Sequence, residues 1–260
     1  MSFGQTVLLA AFAGATIFLG LPVGRLRNIS VNWQAALTTA AGGIILFLIY
    51  DVLSQALVPV LAALDTASHG EGGQGTFALD AVALGASVAF GLLSVTYVTQ
   101  RLRSGQGGDI KPTQVALGTA IGLGLHNFSE GLAIGQSAAT GATAFALLLV
   151  VGFALHNATE GFAIAAPLGR GDLPSWRFLA GSGIIGGGPT FLGGVLGYSV
   201  VSPLMSVIFL GLAAGALIFV FNEMMAVSRR FSLPMVSGTA LTIGLLAAFA
   251  TDFVLTAAGA

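Results

Sequence analysis

The chain has 260 residues, 55% of them hydrophobic and only 7% charged, with a formal net charge of −1 and a mean hydropathy of +0.94. A soluble domain carries about a quarter charged residues, so this composition argues against a water-soluble globular protein and for a polytopic helical membrane protein. With no cysteine, disulfide, iron–sulfur and thiolate–metal chemistry are excluded, and any metal must be held by nitrogen, oxygen or a methionine thioether.

A hydrocarbon core of ~30 Å needs about 20 apolar residues per helix. Eight segments qualify, at 3–21, 35–60, 77–99, 113–137, 142–168, 178–200, 204–227 and 234–256, and they fill a single transmembrane domain over 1–260. The first has neither a basic n-region nor a small-residue cleavage pattern and reads as a retained span. The second carries Asp51 near its end and leads into a loop, "LDTASHGEGGQG", where His69 is expected to be solvated. The fourth and fifth contain "LHNFSEGLAIG" and "LHNATEGFAIA". The sixth contains the glycine-rich "SGIIGGGPTFLGG", which suggests a broken or closely packed helix, and the seventh carries Glu223 near its end.

The nine basic residues are Arg25, Arg27, Arg101, Arg103, Lys111, Arg170, Arg177, Arg229 and Arg230. With eight spans, all nine fall in the loops 1–2, 3–4, 5–6 and 7–8. By the positive-inside rule these loops face the cytoplasm, and both termini lie outside a plasma or bacterial inner membrane.

Chemistry concentrates in the duplicated motif H-N-x-[ST]-E-G-x-A-I, with His126/His156, Asn127/Asn157 and Glu130/Glu160. Residues i and i+4 share a helix face, so each span offers an imidazole and a carboxylate in one stripe with a carboxamide on its flank. Spans four and five run antiparallel. If they pack at one depth, His126, Glu130, His156 and Glu160 converge as four N/O ligands for a divalent cation, with two carboxylates to balance its charge. One polar residue in a span is often helix–helix glue. Two glutamates are another matter, since each costs about 2.5–3.5 kcal/mol at mid-bilayer even on lenient scales. Asp51 and Glu223 are candidates for the ion's route. "AAGGIILFLIYD" (40–51) is also similar to "AAGALIFVFNE" (213–223), so an inverted repeat relating spans two and seven as well as four and five is expected. Gly131 and Gly161, beside the ligands, are expected to leave room for an ion or water.

The paired H-N-x-x-E-G motifs, the eight spans and "AAGALIFVFNEMM" resemble the ZIP (Zrt/Irt-like) family of divalent metal transporters over essentially the whole chain. The resemblance implies movement of zinc, or iron, manganese, cobalt or cadmium, toward the cytoplasm, with the metal as substrate and no catalytic cofactor. It implies a metal site on spans four and five, Asn127 and Asn157 serving a second metal or supporting the first, a homodimer, and an elevator-like motion of spans one, four, five and six. Gly188 stands before Pro189 where the family often has a glutamate, so one metal is expected here. The partners expected are the ion and the lipid bilayer, with no nucleic acid. Protons should compete for the same ligands, weakening binding as pH falls through the histidine range. The alternative is an intramembrane metal-dependent hydrolase, disfavoured because no H-E-x-x-H occurs and four filled ligand positions leave no open one.

Overall fold

Backbone in hydrocarbon must satisfy its own hydrogen bonds, so apolar runs of this length fold as helices. The computed structural model describes residues 1–26, 30–69, 73–103, 111–168 and 173–257, and of the basic residues named above Arg27 and Arg170 lie outside them. The elements are α1 (Phe3–Ala15), α2 (Val31–Ser68), α3 (Gln74–Arg103), α4 (Pro112–Ala139), α5 (Thr143–Ala165), α6 (Trp176–Ser199), α7 (Pro203–Arg230) and α8 (Pro234–Ala257). Ser2, Ser30, Ser175 and Ser202 cap α1, α2, α6 and α7 by accepting a backbone N–H of the first turn.

Among the described residues seven helical segments are long and apolar enough to cross a membrane, as in an integral membrane protein. The exception among the eight is α4, whose glycines, hydroxyls and motif residues lower its hydropathy. It is also the best covered: 17 of its 28 residues are buried, against α6, α7, α5 and α1. The first segment departs from a simple span. After Ala15 it tightens into 3₁₀ turns at Thr16–Leu19 and Leu21–Arg25, hinged at Gly20 and carrying Pro22, which has no N–H to continue a helix. The sixth is not broken, since α6 runs through Pro189.

Hydrogen bonds show which helix ends meet. At one end the Met1 ammonium donates to Thr143 Oγ1 (3.1 Å), Tyr198 Oη donates to Met1 O (3.2 Å) and Ser206 Oγ donates to Gln136 Oε1 (3.3 Å). At the other, the Arg25 guanidinium bonds Pro174 O and sits 4.8 Å over the Trp176 ring, while Thr39, Ser228 and Ser237 share hydroxyl contacts of 2.8 and 3.0 Å. The arginines and lysine of the described side chains (Arg25, Arg101, Lys111, Arg177, Arg229, Arg230) all lie at helix ends.

Glycines set the helix spacing, and their contacts recur in matched pairs. A Cβ on Gly43 of α2 would strike Leu241 O of α8, and one on Gly215 of α7 would strike Val88 O of α3. Gly244 of α8 lies against Ala40 O of α2, and Gly91 of α3 against Leu212 O of α7. The register shift that takes 40 to 212 also takes 43 to 215, and the one that takes 88 to 241 also takes 91 to 244. On the other side of the bundle, Gly131 of α4 abuts Thr190 O of α6 and Gly161 of α5 abuts Ile17 O. The expectation that Gly131 and Gly161 leave room for an ion is therefore corrected, because that space is filled by neighbouring backbone.

Gly215→Ala is expected to cost about 1–3 kcal/mol through overpacking. Gly85→Ala, where a Cβ meets open space, should be neutral or gain up to about 1 kcal/mol of helix propensity. Thermal unfolding of the purified protein in detergent checks both, with only Gly215→Ala lowering the midpoint.

Candidate metal centre

His126 and Glu130 project from one face of α4, as i and i+4 dictate, and Glu160 from α5 meets them. All three are buried, with 3%, 4% and 0% of their surface exposed. His126 Nε2 lies 3.5 Å from Glu130 Oε1 and 3.4 Å from Glu160 Oε1, and one ligand atom from each of the three falls within 4.8 Å of the others. For a metal–ligand distance near ~2.1 Å, the edge of a coordination tetrahedron is about 3.4 Å. The two imidazole–carboxylate separations match that edge, so this cluster has the composition and spacing to hold a divalent cation. The backbone of His156 is in α5, and its side chain lies outside the described residues.

The two asparagines fix the site's orientation. Asn127 Nδ2 donates to Glu160 Oε2 (2.7 Å) and to Gly186 O of α6 (3.0 Å), and Asn157 Nδ2 donates to Ala13 O of α1 (3.0 Å). A helix carbonyl can only accept, so each amide group must turn its NH₂ toward the neighbouring helix. The Oδ1 atoms of both, fully buried, make no hydrogen bond among the described residues. Asn127 thus holds a carboxylate in place across the α4–α5 contact, the supporting bond that metal ligands usually have, and both Oδ1 atoms are available as neutral oxygen donors.

The electrostatic problem is plain. Two carboxylates are buried about two-thirds of the way along α4 and near the end of α5, while the described arginines and lysine stay at helix ends; Lys111, at the start of α4, is about 28 Å from Glu130 at 1.5 Å per residue. Among the described side chains one imidazole, even when charged, offsets only one of the two, and a bound cation would balance the other.

Of the remaining candidates, Asp51 on α2 is half-buried, accepts from Gln55 Nε2 (2.9 Å) and lies within electrostatic range of His126 and Glu130. Glu223 is half-buried on α7 and not part of the three-residue cluster. Met224 is fully buried and Met225 packs on Gly42 of α2. His69 is largely solvated beside Asp65. Sequence reasoning did not find the backbone partners Gly186 O and Ala13 O, since a carbonyl leaves no signature in residue type.

Removing the orienting amide tests its part. Asn127→Ala is expected to weaken binding of zinc by about 10–100-fold, as loss of a supporting hydrogen bond to a ligand does, without unfolding the bundle. Calorimetric titration alongside circular dichroism reads both. No protein-family model and no curated protein matches the chain.

Proposed function

We propose that this protein carries a divalent metal cation, zinc or a close relative, across the membrane toward the cytoplasm, by alternating access around the His126–Glu130–Glu160 site. It is transport, not catalysis, and the reading agrees with the resemblance to ZIP transporters. One observation carries it: two carboxylates and an imidazole buried together between two helices of a membrane bundle, with the described basic residues held at the helix ends. A structural polar contact needs no such charge, and Ser, Thr or Asn would serve at lower cost.

In this reading α4 is the eighth crossing, its polar side chains shielded by the helices around it. His156 and Glu160 mirror His126 and Glu130 in an inverted repeat. The matched glycine contacts support that repeat, relating α1 to α6, α2 to α7 and α3 to α8. The asparagines agree with it: the shift from Ala13 to Gly186, which Asn157 and Asn127 bond, also takes Ile17 to Thr190, which Gly161 and Gly131 abut. Such repeats let two packings of similar energy open one central site to alternate sides. The helices fall into two packed sets, α1, α4, α5 and α6 against α2, α3, α7 and α8, with the α4–α7 contact prominent between them. That division fits movement of one set against the other.

Zinc or cadmium flux into proteoliposomes tests the proposal. Wild type should show saturable uptake, and Glu160→Ala and the His126→Ala/His156→Ala pair should lose it while still folding. Uptake unchanged in both variants would refute the site, and its absence in wild type would refute transport.

A further inference from the structure

A groove of about 490 Å³ opens on the outside of the bundle, bounded by α3, α4, α6 and α7. That volume falls within the roughly 300–1,000 Å³ of sites that hold small molecules. Ser94 and Val98 of α3 and Leu192 of α6 line its walls, with Leu125 and Phe128 of α4 and Phe209 of α7 between them. The Phe128 and Phe209 rings lie 4.6 Å apart and join α4 to α7 there. The hydroxyl on the lining, Ser94 Oγ, donates to Gly91 O (3.3 Å). Val98 and Leu192 are exposed, so the groove is open sideways to whatever surrounds the bundle. Water finds no partners in such a lining, and an empty one forfeits the dispersion contacts of every atom that faces it. In a bilayer the matching filler is an acyl chain.

The charges at one end of the groove say which lipid. Ser94, Val98 and Arg101 follow at i, i+4 and i+7 on one face of α3, so Arg101 stands one turn beyond the lining. Its Nε donates to Tyr97 Oη (3.0 Å) and its guanidinium lies 5.0 Å from the Tyr97 ring, a pair suited to the membrane–water interface. Lys111 starts α4, the helix that follows α3, and so shares this end with Arg101. α4 and α6 run parallel, since Gly124 abuts Ile185 O and Gly131 abuts Thr190 O, which brings Arg177 at the start of α6 to the same end. All three basic side chains are exposed, and among the described residues no carboxylate pairs with any of them. Basic residues beside a cleft between spans favour anionic headgroups. From Arg101 to Ser94 is about 10 Å of helix, less than the ~15 Å that half of a ~30 Å hydrocarbon core provides. A chain whose headgroup sits at Arg101 therefore reaches the groove from within one leaflet.

We infer that this groove holds an anionic phospholipid, with an acyl chain lodged against Val98, Leu125 and Leu192 and its phosphate at the end marked by Arg101, Lys111 and Arg177. α3 and α7 belong to one packed set of helices and α4 and α6 to the other, so the lipid touches both. Lipid binding here depends neither on the metal cluster nor on transport.

Native mass spectrometry of the full chain tests this, after equilibration in detergent with phosphatidylglycerol and phosphatidylcholine of identical acyl chains. Wild type should retain phosphatidylglycerol over phosphatidylcholine by at least about five-fold, the size of one basic residue's attraction to an anionic surface. Val98→Trp fills the groove and should lose the bound lipid, and Leu192→Trp serves where the first variant folds poorly by circular dichroism. Arg101→Gln should keep a lipid but lose most of the preference for phosphatidylglycerol. Leu246→Trp, on the exposed face of α8, should behave as wild type. Equal retention of the two lipids by wild type overturns the anionic assignment. Retention unchanged in both folded tryptophan variants overturns the groove as the site. Wild type that carries no lipid, or that forms a dimer which Val98→Trp dissociates, shows the groove to have another occupant and overturns the lipid altogether.

Discussion

Two carboxylates buried in the same place are the constraint on which this structure depends. Glu130 and Glu160 both approach Nε2 of His126 at the α4–α5 contact, out of reach of water. Like charges so close in a low-dielectric interior repel strongly unless a proton or a cation intervenes. The described arginines lie at helix ends, and it is the amides of the motif asparagines that meet the acids. Such surroundings hold the acids in place without neutralising them.

Holding them in place is a packing problem, and the bundle meets it with glycine. Carrying Gly131 against Thr190 O and Gly161 against Ile17 O brings the backbones of α6 and of the 3₁₀ turn after α1 close to the two motif helices. Only at that separation can Asn127 reach Gly186 O and Asn157 reach Ala13 O. The hydrogen bonds then fix the amide orientations and the position of Glu160. Close approach, amide orientation and carboxylate placement form one sequence of dependence, so a side chain added at either glycine would be felt at the acids.

The same economy extends to the molecule's two halves. Glycine contacts on α2–α8 and α3–α7 share register shifts, and so do those flanking α4 and α5. In the proposed mechanism this likeness is what makes two arrangements comparable in energy, since each opened passage would close with contacts resembling those it replaced.

By itself the sequence determined the helical membrane class, because 7% charge and repeated apolar runs admit few other folds. It also placed His126 and Glu130 on one face, a matter of helical period alone, and the duplication pointed to Glu160 as their partner. It overreached at Gly131 and Gly161, reading vacancy where backbone sits. The first span stands as one crossing-length segment, Phe3–Arg25, although its helix tightens into 3₁₀ turns after Ala15. Only the tertiary structure decided that Asn127 serves a carboxylate on the other helix, that both amides answer to carbonyls of α1 and α6, and that Gln55, Gln136 and Ser206 meet in one pocket. The reason is physical: periodicity reports which residues share a face of one helix. The partner of that face is set by the distance and register between helices, and these follow from many small backbone contacts that no single residue type announces.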